Sequence, residues 1–76
     1  DAPAKSIMAY RQALRIDHLR EENHRGLMRA LLVAGRRDEA LREYHVCRDN
    51  LRRELEVEPL PETEELYSLI RNNSGP

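Results

Sequence analysis

Apolar side chains along this chain return every third or fourth position, never every second, and they do so in four separate stretches. In the first, Ile7, Tyr10, Ala13 and Leu14 share one face. They predict a helix from about Pro3 to Ile16, with Pro3 at a first helical position, where a missing N–H is tolerated. In the second, Leu27, Met28, Leu31 and Leu32 form the stripe, with His24 on the same face. The predicted helix runs from about His18 to Ala34. Asp17 is its expected cap, Glu21 and Glu22 sit where the helix dipole favours acids, and Gly35 follows as a closing glycine. A third helix is expected from Glu39 to about Leu55, capped by Asp38. At ~100° per residue its Ala40, Leu41, Tyr44, Cys47, Leu51 and Leu55 fall in one stripe. Arg42, Arg53, Glu39, Glu43 and Asp49 fall on the outer side, where Val46 also points. Asp38–Arg42 and Asp49–Arg53 are expected as ion pairs one turn apart. Arg48 lies inside the stripe, placed to snorkel or to meet a glutamate of the last helix. Pro59 and Pro61 bracket a turn, and a fourth helix follows from about Pro61 to Asn72 with Leu66, Tyr67, Leu69 and Ile70 as its apolar face. Nothing reads as a strand. The chain is therefore expected to be all-α, one domain over residues 1–72 with a frayed tail at 73–76.

The first and third stretches are related. Shifting the chain by 34 residues lays Ser6 on Ala40, Ile7 on Leu41, Tyr10 on Tyr44 and Ala13 on Cys47. That period belongs to the tetratricopeptide repeat, a helix–turn–helix unit. Its first-helix pattern is met loosely by His24, Leu27, Met28 and Leu31, and its second-helix A-x3-F by Ala40 and Tyr44. The small residue lets two helices approach, and the aromatic fills the groove between them. The core is thus expected to hold Tyr10, Leu27, Leu31, Ala40, Leu41, Tyr44, Cys47, Leu51, Leu66 and Ile70, in stacked antiparallel hairpins. The first helix then reads as a second helix without its first. Its apolar face calls for a neighbour, from further chain or from another copy, so a homodimer through the first helix is one expectation.

Composition narrows the function. The chain has 76 residues, 39% apolar and 36% charged, which is too apolar for a disordered tail. Net charge is −1, so no global field draws it to phosphate. The charge is nonetheless uneven: eleven Arg against seven acids from Arg11 to Arg53, then six Glu against one Arg from Glu54 onward. The single cysteine forbids an internal disulfide, and no apolar run nears the ~18 residues of a membrane span. A cytoplasmic protein with no membrane contact is expected.

Little of this points to chemistry at a centre. His18, His24, His45 and Cys47 are the candidate metal ligands, but His45 and Cys47 diverge on a helix, and zinc needs three or four converging donors. Cys47 fills the repeat's small-residue slot. No glycine-rich loop or paired base accompanies Cys47 or His24, so no catalysis and no cofactor is expected. His24, Tyr10, Tyr44 and Tyr67 could line a peptide groove, although such spacing is more often core. A helix that reads DNA shows a basic face largely free of acids. Here acids are interleaved with Arg36, Arg37, Arg42 and Arg53. Those four arginines and Val46 are the candidate partner surface, and the chain is not expected to shift duplex DNA.

The stretch "HLREENHRGLMRALLVAGRRDEALREYHVCRDNLRRELEVEPLPETEELYSLI", within Ile16 to Ile70, resembles the C-terminal part of the bacterial transcriptional activation domain. That tetratricopeptide-like module occurs in regulators such as the Streptomyces antibiotic regulatory proteins. The most specific pieces are "LREE-HR-LMRAL", "AGRRDEALREY" and, above all, the closing "EL-VEP-PET--LY--I". The resemblance implies a protein-interaction and activation module, with DNA bound by an upstream winged-helix domain. Implied partners are a sister subunit, RNA polymerase or the regulator's own DNA-binding domain. Three positions depart from the family pattern: His18 for Pro, Glu56 for Gly, and Leu60 for a small polar residue that would cap the last helix. The competing reading is a tetratricopeptide-like adaptor that holds a peptide in another bacterial signalling protein.

Overall fold

A computed structural model describes residues 2–72 of the chain. They form four helices: α1 (Ala2–Ile16), α2 (Glu21–Val33), α3 (Arg37–Leu55) and α4 (Pro61–Asn72). No strand occurs among the described residues, and no helix among them is long and apolar enough to cross a membrane. The expected tail at 73–76 lies outside the described residues.

Two of the expected caps are not caps. Asp17 accepts the backbone N–H of Leu19 at 3.2 Å, a side-chain turn of the kind Asp favours. Helix α2 therefore starts three residues later than expected at His18, on the carbonyl of Arg20. Asp38 lies inside the first turn of α3, whose N-cap is Arg36, and neither Arg20 nor Arg36 makes a side-chain capping bond. The C-terminus of α2 is well specified. Gly35 adopts φ 78°, its N–H bonds the Leu32 carbonyl at 3.0 Å, and the Arg36 N–H bonds the Leu31 carbonyl at 2.8 Å. This crossed pair is the Schellman closure, which requires the left-handed residue that glycine supplies. Helix α3 closes on Glu56, also left-handed at φ 56°, without a glycine to relieve it.

Helix α2 is the centre of the stack. Its Leu27, Met28 and Leu31 are buried between α1 and α3, together with Ile7, Ala40, Tyr44 and Ile70. Cys47 and Leu51 are also buried, while Tyr10, Leu41 and Leu66 are half-buried against this core. Three of the repeat's four aligned slots are deeper in α3: Ala40, Tyr44 and Cys47 are buried, whereas Ser6, Tyr10 and Ala13 are only half-buried; in the fourth, Ile7 is buried and Leu41 half-buried. The reason is placement. Helix α3 lies against both α2 and α4, but α1 packs on α2 alone. Three stripe positions fail to find neighbours. Leu32 is exposed, and so are Leu55 (53%) and Leu69 (60%), which lie near the far ends of α3 and α4.

Helix α4 is held at both ends by side chains from other helices. At its start Leu60 offers no side-chain cap, and Glu21 of α2 takes that role. One Glu21 carboxylate oxygen accepts both the Leu60 N–H and the Thr63 hydroxyl, each at 2.8 Å. Thr63 is fully buried and accepts in turn from Arg25 at 2.8 Å. At the other end Arg37 of α3 donates to the carbonyls of Ile70 (3.1 Å) and Arg71 (2.8 Å). A cation there meets the negative end of the helix dipole. Between these clamps Tyr67 stacks on Tyr44 with ring centroids 4.0 Å apart, and the Tyr44 hydroxyl donates to Glu64.

Candidate functional site

Because α1 and α3 both pack on α2, a groove of about 590 Å³ opens between them. Its floor is α2, with His24, Leu27 and Leu31. One wall is α1, with Arg11, Leu14 and Arg15; the other is α3, with Glu39, Arg42, Glu43 and Val46. Among the described residues one ion pair spans it, Arg11 to Glu39 at 3.8 Å. The periodicity of α3 had placed Glu39, Arg42, Glu43 and Val46 on an outer, solvated side. The fold instead makes them a wall, because that side of α3 faces α1 across the gap.

The floor carries a buried charge. His24 is 1% exposed. Its Nδ1 lies 2.5 Å from a Glu43 carboxylate oxygen, and its Nε2 lies 2.7 Å from the His18 carbonyl. Both partners only accept, so both ring nitrogens carry protons and the ring is an imidazolium. Burial alone would pull its pKa down. The hydrogen bonds to Glu43 and to the His18 carbonyl, with the charges of Glu43 and Glu21, outweigh burial and raise it above the ordinary 6.5. The sequence showed His24 as a polar residue at an apolar position. Its partner, nineteen residues away on α3, left no local signal.

The five surface residues singled out from sequence do not stay together. Arg37 is spent on the end of α4, and Arg36 makes a two-bond clamp on Glu39. Arg53 turns to Asn50 at 2.8 Å and to Glu54 at 3.5 Å, so the Asp49–Arg53 pair does not form. Nor does Asp38–Arg42. Arg42 has no hydrogen bond or ion pair among the described residues, and Val46 beside it is 47% exposed. Arg48 does not reach a glutamate of α4. Its guanidinium lies 5.9 Å from the Tyr44 ring centroid, and its Nε, 3.5 Å from Asp49, has no hydrogen-bond partner.

The other polar candidates are structural. The Cys47 thiol is fully buried, and burial, with the charges of Glu21 and Glu43, pushes its pKa up to about 12. Burial and the bond to Glu64 likewise push Tyr44 up to about 12. His45 sits edge-on to Tyr44 and Tyr67, at 5.2 and 5.5 Å. Among the described residues no three His, Cys, Asp or Glu converge as metal ligands.

The model of one family, described as bacterial transcriptional activator domain, matches residues 2–71. No curated protein and no solved structure matches the chain.

Proposed function

Because the chain belongs to the bacterial transcriptional activator domain family, we propose that it is the protein-contacting module of a bacterial transcription regulator. DNA is bound by a separate winged-helix domain of the same regulator, and the module acts in the cytoplasm on a sister subunit, RNA polymerase or that DNA-binding domain. The observation that supports contact with protein is the α1–α3 groove, where apolar and unpaired cationic side chains lie together and open to solvent. The test uses the full-length regulator with a reporter promoter. Deleting the domain abolishes activation while the regulator still retards its operator in a gel. Loss of operator binding together with activation, or activation that survives deletion, refutes the proposal.

A further inference from the structure

We infer that the α1–α3 groove receives an acidic amphipathic segment of a partner protein, its carboxylates on Arg15 and Arg42 and its apolar side chains against Leu14 and Val46 of the walls. This deepens the reading of the domain as an interaction module and rests on it. Three arginines and two glutamates line the groove. Both glutamates are already held: Glu43 by His24 at 2.5 Å, and Glu39 by Arg36, with Arg11 3.8 Å away. Arg15 of α1 and Arg42 of α3 both line the groove, and neither has a hydrogen bond or ion pair among the described residues. The groove therefore presents two cations outside any ion pair, Arg15 and Arg42, the second near enough to help hold the Glu39 carboxyl below its usual range, while each of its anions already has a cation of this chain against it. Its exposed apolar surface comes from Leu14 and Val46 on the walls, with Leu27 and Leu31 beneath. An occupant must therefore bring carboxylates on one side and aliphatic groups on the other, which an acidic amphipathic helix does. Nucleic acid fits less well. A phosphate backbone could meet the arginines but would leave the apolar surface of Leu14 and Val46 between them unused.

The test is fluorescence polarisation of the 76-residue chain with three labelled probes. One is an amphipathic peptide with Leu on one helical face and Glu on the other. The second is the same peptide with Lys for Glu, and the third is a short DNA duplex. The acidic peptide binds, and the Arg15→Glu, Arg42→Glu double variant weakens it about tenfold or more, with the loss shrinking as salt rises. Arg29→Glu, a single reversal of the same kind on an exposed residue outside the groove, leaves binding unchanged. Circular dichroism shows that both variants keep their helices. No binding of the acidic peptide, equal binding of the Lys peptide, tighter binding of the duplex, or indifference to the double variant each overturns the inference. The reporter assay separates the two claims. If the double variant activates normally while deletion abolishes activation, the interaction module stands and the groove falls.

Discussion

His24→Leu gives the sharpest probe of the packing. The substitution roughly keeps the volume and removes both donors. The Glu43 carboxylate then loses a charge-assisted bond, worth about 1.5–3 kcal/mol, and the His18 carbonyl loses its short bond and keeps only the Asn50 amide at 3.5 Å, at about 1–3 kcal/mol. The sum agrees with the ~3–5 kcal/mol typical of breaking a buried pair from one side. A chain of this length has about 4–11 kcal/mol of stability in all, so the variant should lose a third or more of it over most of that range. The assay is urea unfolding followed by far-UV circular dichroism at pH 6. A companion measurement uses pH. The folded pKa of His24 lies above its ordinary 6.5. Below that unfolded value both states hold the proton and the imidazolium's contribution is complete. As pH rises toward and through the folded pKa, the proton is lost and the contribution goes with it. Wild-type stability therefore falls as pH rises from about 6.5, by at most about 1.4 kcal/mol per pH unit for one proton. The fall should be absent from whatever folded fraction of His24→Leu can be measured. A loss under ~1 kcal/mol at pH 6 would show that the pair is not the tie between α2 and α3 described above. So would a wild-type curve flat from pH 6.5 to 9.

Three further substitutions test other parts of the frame. Glu56→Gly should raise stability by about 0.5–1 kcal/mol, since it removes a left-handed non-glycine residue at only partial entropic cost; an unchanged or lower melting temperature refutes that account. Gly26→Ala should lower it by about 1 kcal/mol, because the added methyl collides with the Tyr10 ring by more than the gain in helix propensity offsets. In a Tyr10→Ala background the same change should become stabilising, so simple additivity would refute the contact. Tyr44→Ala should cost about 3 kcal/mol or more by opening a void against Tyr67, whereas Tyr44→Phe should cost under about 1 kcal/mol, as the Glu64 it bonds is exposed; similar losses in the two variants would place the hydroxyl, rather than the ring, at the centre of the joint.

Periodicity carried much of the fold because local rules govern helices. The stripe of Ala40, Tyr44, Cys47 and Leu51 is buried on α3, and Gly35 closes α2 by a bond pattern that its backbone freedom favours. The same rules misled at the helix starts. Asp17 and Asp38 are residue types that cap, yet each had a competing local arrangement, a turn for one and an extra helical residue for the other. Leu55 and Leu69 obey their stripes but lie where no neighbour reaches, which a one-dimensional pattern does not contain. The groove was half legible. Arg42 and Val46 were noticed, but Arg15, Glu39 and Glu43 join them only because α1 and α3 share α2 as a common support. Arg37 and Glu21 were read as a turn arginine and a first-turn acid. Their partners lie 33 to 42 residues away, beyond the reach of any local rule.

Those two residues act together as a gauge of length. Glu21 and Arg37 stand on different helices and grip opposite ends of α4, whose twelve residues span about 18 Å at ~1.5 Å per residue. Deleting one residue within α4 would shorten it by ~1.5 Å and turn one end by ~100° relative to the other, so both grips could not close on it at once. Sequence within α4 is free to drift wherever a side chain faces water. The number of residues between Pro61 and Asn72 is not.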